Sequence, residues 1–263
     1  MKLEIEGKTA LVTAASRGMG KSIATKLSMS GVNIIICSRN EDTLEKTANE
    51  IMNETEGKVV YVKADVSKYD DIKKLILLGE KKFGGIDILV NNAGGPPSGT
   101  FSDFSEDQWM ETWNQNFLSV KRLSEGVIPY MKTKRWGRII NIVSTTVKEV
   151  SDVLILSNTV RMAVIGFSKT ISRQVASDGI TVNNILPGAI FTDRWKQLAE
   201  DTAKRENISS EDVLKNSARN IPMGRYGSPA EVADLALFLA SERANYITGT
   251  SIQIDGGLLK TVY

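Results

Sequence analysis

The feature that most constrains this chain is a regular alternation of short β-branched runs with longer segments whose apolar residues recur at a helical period. KTALVTA precedes a helical segment at 21–30, VNIIICS one at 41–54, KVVYVKAD one at 69–83, and GIDILVNNAG one at 105–134. GRIINIVS, the segment 156–178, GITVNNILPG, the segment 229–241 and SIQIDGG continue the rhythm. The strand runs are apolar throughout rather than alternating, so both faces of each strand are covered. That is the pattern of a parallel sheet with helices on either side and right-handed crossovers. The expected fold is α/β, a Rossmann-type doubly wound parallel sheet of about seven strands in three αβα layers.

With 263 residues, 41% of them hydrophobic, residues 1–263 are expected to close one core as a single dinucleotide-binding domain. The 33 basic and 31 acidic residues leave a net charge of +2, too small a field to draw nucleic acid or a lipid surface. With no histidine, the chain has no imidazole for acid–base chemistry or metal ligation, and no metal site is expected. The single cysteine, Cys37, excludes an internal disulfide and suits a reducing compartment. No signal-like N-terminus and no run of ~18 apolar residues is found, so a cytoplasmic protein without membrane contact is expected. One stretch departs from the rhythm. Residues 191–227 are polar, rich in Lys, Glu and Asn, and helical in propensity, and are expected to form a lid.

The first strand runs into TAASRGMG, residues 13–20, directly before a helix. Gly18 and Gly20 allow a tight turn and close approach to a pyrophosphate seated on the N–H groups that open the helix. Thr13, Ser16, Arg17 and Met19 complete the loop. The usual first glycine is Ala14, small enough for the approach but able to take a positive φ only at a cost. The second strand ends Cys37-Ser38-Arg39-Asn40, where an NAD site presents an acid to the ribose. Arg17 and Arg39 offer forked donors to a 2′-phosphate and Ser38 adds a hydroxyl, so NADP(H) is expected over NAD(H).

Together with Asn91-Asn92-Ala93-Gly94 after the fourth strand, this loop resembles the short-chain dehydrogenase/reductase family, and the resemblance covers the whole chain. Within it the chain is most similar to β-ketoacyl carrier-protein reductases and to sugar or alcohol dehydrogenases. The resemblance implies that Asp65 and Val66 contact the adenine and that Asn92, Ala93 and Gly94 border the cofactor. It makes Asn116 the helix asparagine that holds a water and Ser144 the serine that polarises the substrate. Pro187, Gly188, Ile190 and Thr192 would hold the nicotinamide carboxamide, and the ending GTSIQIDGG also matches.

In that family a tyrosine protonates the substrate oxygen, and a lysine four residues later lowers its pKa and holds the nicotinamide ribose. Counted from Ser144 and from GFSK at 166–169, these positions fall on Ser157 and Arg161. Residues 130–134, YMKTK, repeat the spacing but end the helix before the fifth strand, away from the sheet edge where ligands sit, so they are set aside. A serine hydroxyl is a far weaker acid than a phenol, and arginine stays protonated. Loss of a positioned general acid costs about 10²–10⁴ in rate. Arg161 can still donate to ribose hydroxyls and stabilise an oxyanion or enolate beside Ser144.

Three accounts remain open at this point. The first is an NADP(H)-dependent oxidoreductase acting on a carbonyl or alcohol of a small substrate, its proton coming from water, the substrate or a side chain such as Lys148. The second is reduction of a conjugated C=C, as in the family's dienoyl-thioester reductases. Those resemble this chain in carrying serine at the tyrosine position, but they keep the lysine and use a tyrosine from the preceding loop, and 145–156 contains none. The third is a nucleotide-binding oligomer without catalysis, acting as partner or sensor. Trp109, Trp113 and Phe117 recur at helical spacing and are expected in the core or an interface. Arg194, Lys196, Lys204 and Arg205 around Trp195 are expected to be solvated, as are Lys148 and Glu149. The apolar segment 231–240 suits the interface of a homodimer or homotetramer.

Overall fold

The computed structural model describes residues 3–262. Among them the strands are β1 (Thr9–Val12), β2 (Asn33–Ser38), β3 (Val59–Lys63), β4 (Ile88–Asn91), β5 (Gly137–Ile142), β6 (Ile180–Pro187) and β7 (Ser251–Ile254). They form one seven-stranded sheet in the order β3-β2-β1-β4-β5-β6-β7, and every pairing is parallel. The α/β expectation therefore holds. The strand order reverses between β1 and β4, and at such a switch the loops leaving the two strands diverge and open a crevice at their carboxyl ends.

The crossovers are α1 (Gly18–Ser28), α2 (Glu41–Thr55), α3 (Tyr69–Phe83), α4 (Glu106–Trp113), α5 (Ser119–Lys134) and α6 (Ile155–Val175), followed by α7 (Asp193–Glu206), α8 (Ser210–Arg219) and α9 (Pro229–Ala240). Successive strand residues point to opposite faces, so each central strand feeds two cores. Val12, Ile34 and Ile36 meet Ile23 and Leu27 of α1 and Val232 and Leu239 of α9 on one side. Leu11, Ile35 and Cys37 meet Leu75 of α3 and Leu123 and Val127 of α5 on the other. Double-sided burial is why these strands read as unbroken apolar runs.

Two boundaries differ from the sequence expectation. The first helix opens at Gly18, so the glycine loop itself becomes its first turn. The helix expected over 105–134 is divided: α4 and α5 are joined by one π-helical turn, Asn114–Leu118, closed by Ser119 N–H donating to Asn114 O. A π turn inserts a residue without breaking the apolar stripe, so periodicity does not reveal it.

At the opposite, amino-terminal end of the sheet a buried cation ties β5 to the segment after α9. The Arg138 side chain is 1% exposed, lies 3.6 Å from Glu242 Oε1, and stacks on Trp136 with 4.3 Å to the ring centroid. It also donates to Asn245 Oδ1, while Glu242 accepts from Trp136 Nε1. Removing the carboxylate strands a buried charge, a change that costs several kcal/mol where both partners are enclosed and less here because Glu242 is 26% exposed. Glu242→Gln is expected to lower stability by about 2 kcal/mol, read from the midpoint of urea unfolding, and an unchanged midpoint would refute the role given to the pair.

Candidate active site at the carboxyl edge of the sheet

The loops leaving the strands' carboxyl ends carry sequence-selected residues at six strands: Thr13 after β1, Ser38 ending β2, Asp65 after β3, Asn92 after β4, Ser144 after β5 and Pro187 ending β6. The crevice at the switch is pinned by side chains. Thr13 Oγ1 donates to Asn92 O at 2.6 Å and accepts from Asn92 N–H at 2.9 Å. Asn92 Nδ2 donates to the carbonyls of Thr13 and Ala14, both at 3.2 Å. Thr13 and Asn92 thus hold the loop's shape.

Ala14 sits at φ +47°, the left-handed region that an L-residue enters at a cost of about 1–2 kcal/mol. The cost expected from the missing glycine is present. At Gly20 a Cβ would stand 2.6 Å from Ala14 O, 2.8 Å from Asn92 Nδ2 and 2.9 Å from Ala15 Cα, so only glycine lets helix and loop approach this closely. Arg17, the residue before α1, makes no side-chain cap, so the N–H groups of the first turn face outward as an anion seat. This cradle fits a dinucleotide pyrophosphate. Ser16 O accepts from Thr47 Oγ1 at 2.8 Å, and Met19 packs on the core beneath.

The end of the crevice beside β2 and β3 is furnished by charge. Arg39 is exposed and has no ion-pair partner among the described residues. Arg17 is held 3.5 Å from Asp193 Oδ2, both side chains being well exposed. Ser38 Oγ donates to Asn40 O at 2.9 Å, so its hydroxyl proton serves the turn and its oxygen remains as an acceptor. Asp65 Oδ1 accepts from Ser67 N–H and Oγ, and Val66 is buried beside it.

At the other end Asn116 Nδ2 donates to Gly94 O at 3.1 Å, beside Gln115 Nε2, which donates to the same carbonyl at 3.0 Å. Arg161 is buried on α6, and its Nη1 donates to the carbonyls of Ile142 at 3.0 Å and Val143 at 2.7 Å, closing the end of β5. Three polar atoms here have no partner: Asn91 Oδ1, Asn116 Oδ1 and Arg161 Nε. All three residues line one cavity of about 10 Å³ with Thr13, Asn92 and Ser119, room for a single water that accepts from Nε and donates to the two Oδ1 atoms. Burial, and after it the charge of Arg194, brings the Arg161 pKa down to about 10, still cationic at neutral pH.

Ser144 opens a short 3₁₀ turn, Thr145–Val147, accepting from Thr146 N–H at 3.2 Å. Thr146 Oγ1 lies 3.4 Å from Ser157 Oγ, one turn before Arg161, whereas Ser144 meets Thr146 through its backbone N–H. Thr146 was not singled out by sequence, and nothing but its place two residues after Ser144 marks it. Lys148 does not join them. Its Nζ donates to Gln253 Oε1 at 3.1 Å on β7 and it is half-buried rather than simply solvated, while Glu149 is exposed as expected and accepts from Lys260 N–H at 3.3 Å. Tyr130 packs against Gly85 at the far end of α5, and Lys134 lies over its own ring at 5.5 Å, so the pair at 130–134 is remote from the cleft.

Gly188 is held by close approach to Asp255, Thr145 Oγ1 donates to Pro187 O at 3.3 Å, and Ile190 is buried in a bridge to Gly227. Thr192 caps α7 by accepting from Trp195 N–H at 3.4 Å, and its methyl faces Gly18. Phe191 N–H donates to Gly227 O at 2.8 Å, so the two ends of 191–227 meet. Between them α7 and α8 share a small core of Ala199, Ala203 and Val213. Of the basic residues there, Lys196, Lys204 and Arg205 are exposed, whereas Arg194 turns inward and donates to Pro96 O, a correction to its expected solvation. Trp113 and Phe117 stack at 4.5 Å between ring centroids and Phe117 meets Phe167 edge-on, as a packed helix face requires.

A family profile described as enoyl-(acyl carrier protein) reductase matches residues 13–259. The NADPH-dependent reductase BacG of Bacillus subtilis is 37% identical over 256 residues, 97% of this chain and 99% of the relative. The 3-oxoacyl-acyl-carrier-protein reductase FabG of Vibrio cholerae is 34% identical, again over 97% of this chain and 99% of the relative. Among solved structures, L-sorbose reductase from Gluconobacter frateurii, complexed with NADPH and L-sorbose, superposes with a TM-score of 0.95 at 32% identity over 100% of both chains.

The cradle generates opposite predictions at its two small residues. Ala14→Gly is expected to raise stability by up to about 1 kcal/mol by releasing the left-handed strain. Gly20→Ala is expected to lower it by about 2–3 kcal/mol through backbone overlap. Thermal or urea unfolding of both variants checks this, and equal and opposite signs reversed from these would refute the strain argument.

Proposed function

The chain belongs to the short-chain dehydrogenase/reductase family, and on that footing we propose that it is an NADP(H)-dependent oxidoreductase acting on a carbonyl or alcohol of a small substrate through an atypical catalytic site. The observation that carries the cofactor reading is the close-packed loop at Ala14 and Gly20 beside Arg17 and an unpaired Arg39, with no acid ending β2. The NADPH dependence named for BacG, and the NADPH held by L-sorbose reductase, support it. Arg17, Arg39 and Ser38 would hold the 2′-phosphate, the first turn of α1 the pyrophosphate, Asp65 and Val66 the adenine, and Pro187, Gly188, Ile190 and Thr192 the nicotinamide end. When bound, the nicotinamide supplies the two-electron transfer.

The chain's own residues then do the following. Ser144 polarises the substrate oxygen by donating a hydrogen bond. Ser157 and Arg161 stand for the family's tyrosine and lysine, and neither relays a proton as a phenol does. Arg161 places a fixed positive charge where negative charge gathers on the substrate oxygen, and Asn116 with the cavity water keeps that guanidinium oriented. The proton comes from water, from the substrate or from a side chain such as Lys148. The same array favours a second reading, reduction of a C=C conjugated to a carbonyl. There the charge rests on an enolate oxygen that hydrogen bonds hold, and the slow proton goes to carbon. Residues 191–227 are proposed to close over the bound pair, and the segment 231–240, whose Leu235, Leu237 and Phe238 are only partly buried, to lie with the final strand in a homo-oligomer interface.

Titration of NADPH and NADH by fluorescence or calorimetry tests the cofactor. NADPH is expected to bind at least tenfold more tightly, and Arg39→Gln to remove about a tenfold share of that preference. Tighter binding of NADH would overturn the reading. Wild-type turnover of simple ketones is expected to fall about 10²–10⁴ below that of the Ser157→Tyr/Arg161→Lys double variant, measured as NADPH oxidation over ketones, enones, enoyl thioesters, imines and sugars. Full wild-type turnover of simple ketones refutes the atypical site, and no turnover of anything leaves the non-catalytic binder.

A further inference from the structure

Resting on the reading of Arg161 as a fixed positive charge, we propose that Asn91, Asn141 and Asn184 are positioning residues, a row of amide dipoles that holds this buried cation in place of a carboxylate. The three stand side by side in the sheet. Asn91 of β4 is in register with Asn141 of β5, Asn141 with Asn184 of β6, and Asn184 with Ser251 of β7. Each asparagine is exposed by 3% or less, in strands that are otherwise mostly apolar. Burying three amides abreast is unfavourable unless every one finds partners, and packing alone does not call for it.

The nitrogen and oxygen of an amide are distinguished by their partners. Asn184 Nδ2 donates to Ser251 Oγ at 3.1 Å. Asn141 Nδ2 donates to Asn184 Oδ1 and to Ser168 Oγ of α6, both at 2.9 Å, and Asn91 Nδ2 donates to Asn141 Oδ1 at 2.8 Å. Asn91 Oδ1 is left over without a partner, and Asn91 and Asn141 line the same small cavity as Arg161. Hydrogen bonding alone would permit every amide to be flipped, because the hydroxyls of Ser251 and Ser168 donate as readily as they accept. The cation decides the direction. The observed order turns each oxygen toward the positive charge and each nitrogen away from it, whereas the flipped order would aim Asn91 Nδ2 into the cavity of a guanidinium.

Among the described residues no carboxylate lies within ion-pairing distance of Arg161, and its Nη1 is spent on two backbone carbonyls. Aligned amides in a dry interior polarise and reinforce one another. They favour the cation yet carry no net charge. Unlike a carboxylate, they therefore leave the full positive charge to act on a substrate oxygen. The cavity water, donating to Asn91 Oδ1 and Asn116 Oδ1 and accepting from Arg161 Nε, passes the direction of the row to the guanidinium.

A double-mutant cycle read by urea unfolding of the full chain at pH 8 tests the row. Asn184 does not line the cavity and reaches Arg161 only through Asn141 and Asn91. Distant sites without shared partners add to within about twofold in the folding equilibrium constant. Asn184→Leu deletes the far dipole, and is expected to cost at least about fivefold more in that constant when Arg161 is present than in an Arg161→Met background. Asn184→Asp keeps an oxygen facing Asn141 and adds negative charge, so it is expected to show the opposite sign, costing less when Arg161 is present. A packing defect would give both variants the same sign. Asn183→Leu is the control, for the Asn183 amide serves Ile247 O instead, and it is expected to cost the same in both backgrounds. Additivity of either Asn184 variant, one sign shared by both, or equal coupling at Asn183 overturns the proposal. If Asn184→Leu does not fold, the sign for Asn184→Asp decides. The cycle contains no nucleotide, so failure of NADPH to bind the wild type removes the proposed function without touching this result.

Discussion

The site depends on the clamp between Thr13 and Asn92. A parallel sheet whose order reverses must leave a gap between the loops of β1 and β4, and a gap without cross-links would be soft. Here three hydrogen bonds between Thr13 and Asn92 and a fourth from Asn92 to Ala14 O close its floor. The clamp also sets the distance at which α1 meets the sheet, because Asn92 Nδ2 is one of the atoms that forbids a side chain at Gly20. One constraint thus shapes both the seat for a pyrophosphate and the wall of the small cavity next to Arg161.

Much of this was legible in the sequence because it follows from burial and backbone freedom. Continuous apolar strands announced a parallel sheet, and Gly18, Gly20 and Ala14 announced a tight loop together with its strained position. Arg39 without an acid before it announced a choice of cofactor. What stayed hidden depends on side-chain direction. Lys148 and Arg194 look alike in a sequence, each a basic residue just past a strand's carboxyl end, yet one is drawn to Gln253 on β7 and the other lies over Gly95. The π turn at Asn114–Leu118 was invisible for a related reason: it adds a residue to a helix whose apolar stripe continues past it.

The two ends of the crevice are built on different electrostatic terms. At the end proposed to hold the adenosine the cations are exposed, so their contribution is screened and works mainly by geometry and by the absence of a repelling acid. At the other end Arg161 is buried, with two carbonyls as its partners and Nε unpaired. Holding a cation there without a carboxylate is unfavourable for folding, and an apolar residue of similar length would be less costly. Polar groups kept at such a cost are characteristic of sites where function, not stability, selects the residue.

That cost bears on which chemistry the cleft suits. A relay that hands a proton to oxygen needs a group whose pKa can pass near neutrality during the reaction, and neither a serine hydroxyl nor a guanidinium at about 10 does so. A fixed positive charge has the opposite virtue. It requires no proton movement, and in a water-poor cleft it acts with little screening on whatever negative charge arises. On the proposed reading, the residues around Ser144 favour reactions in which charge is held on oxygen over those in which it must be quenched at once. The more conjugation delocalises that charge, the less the missing phenol matters.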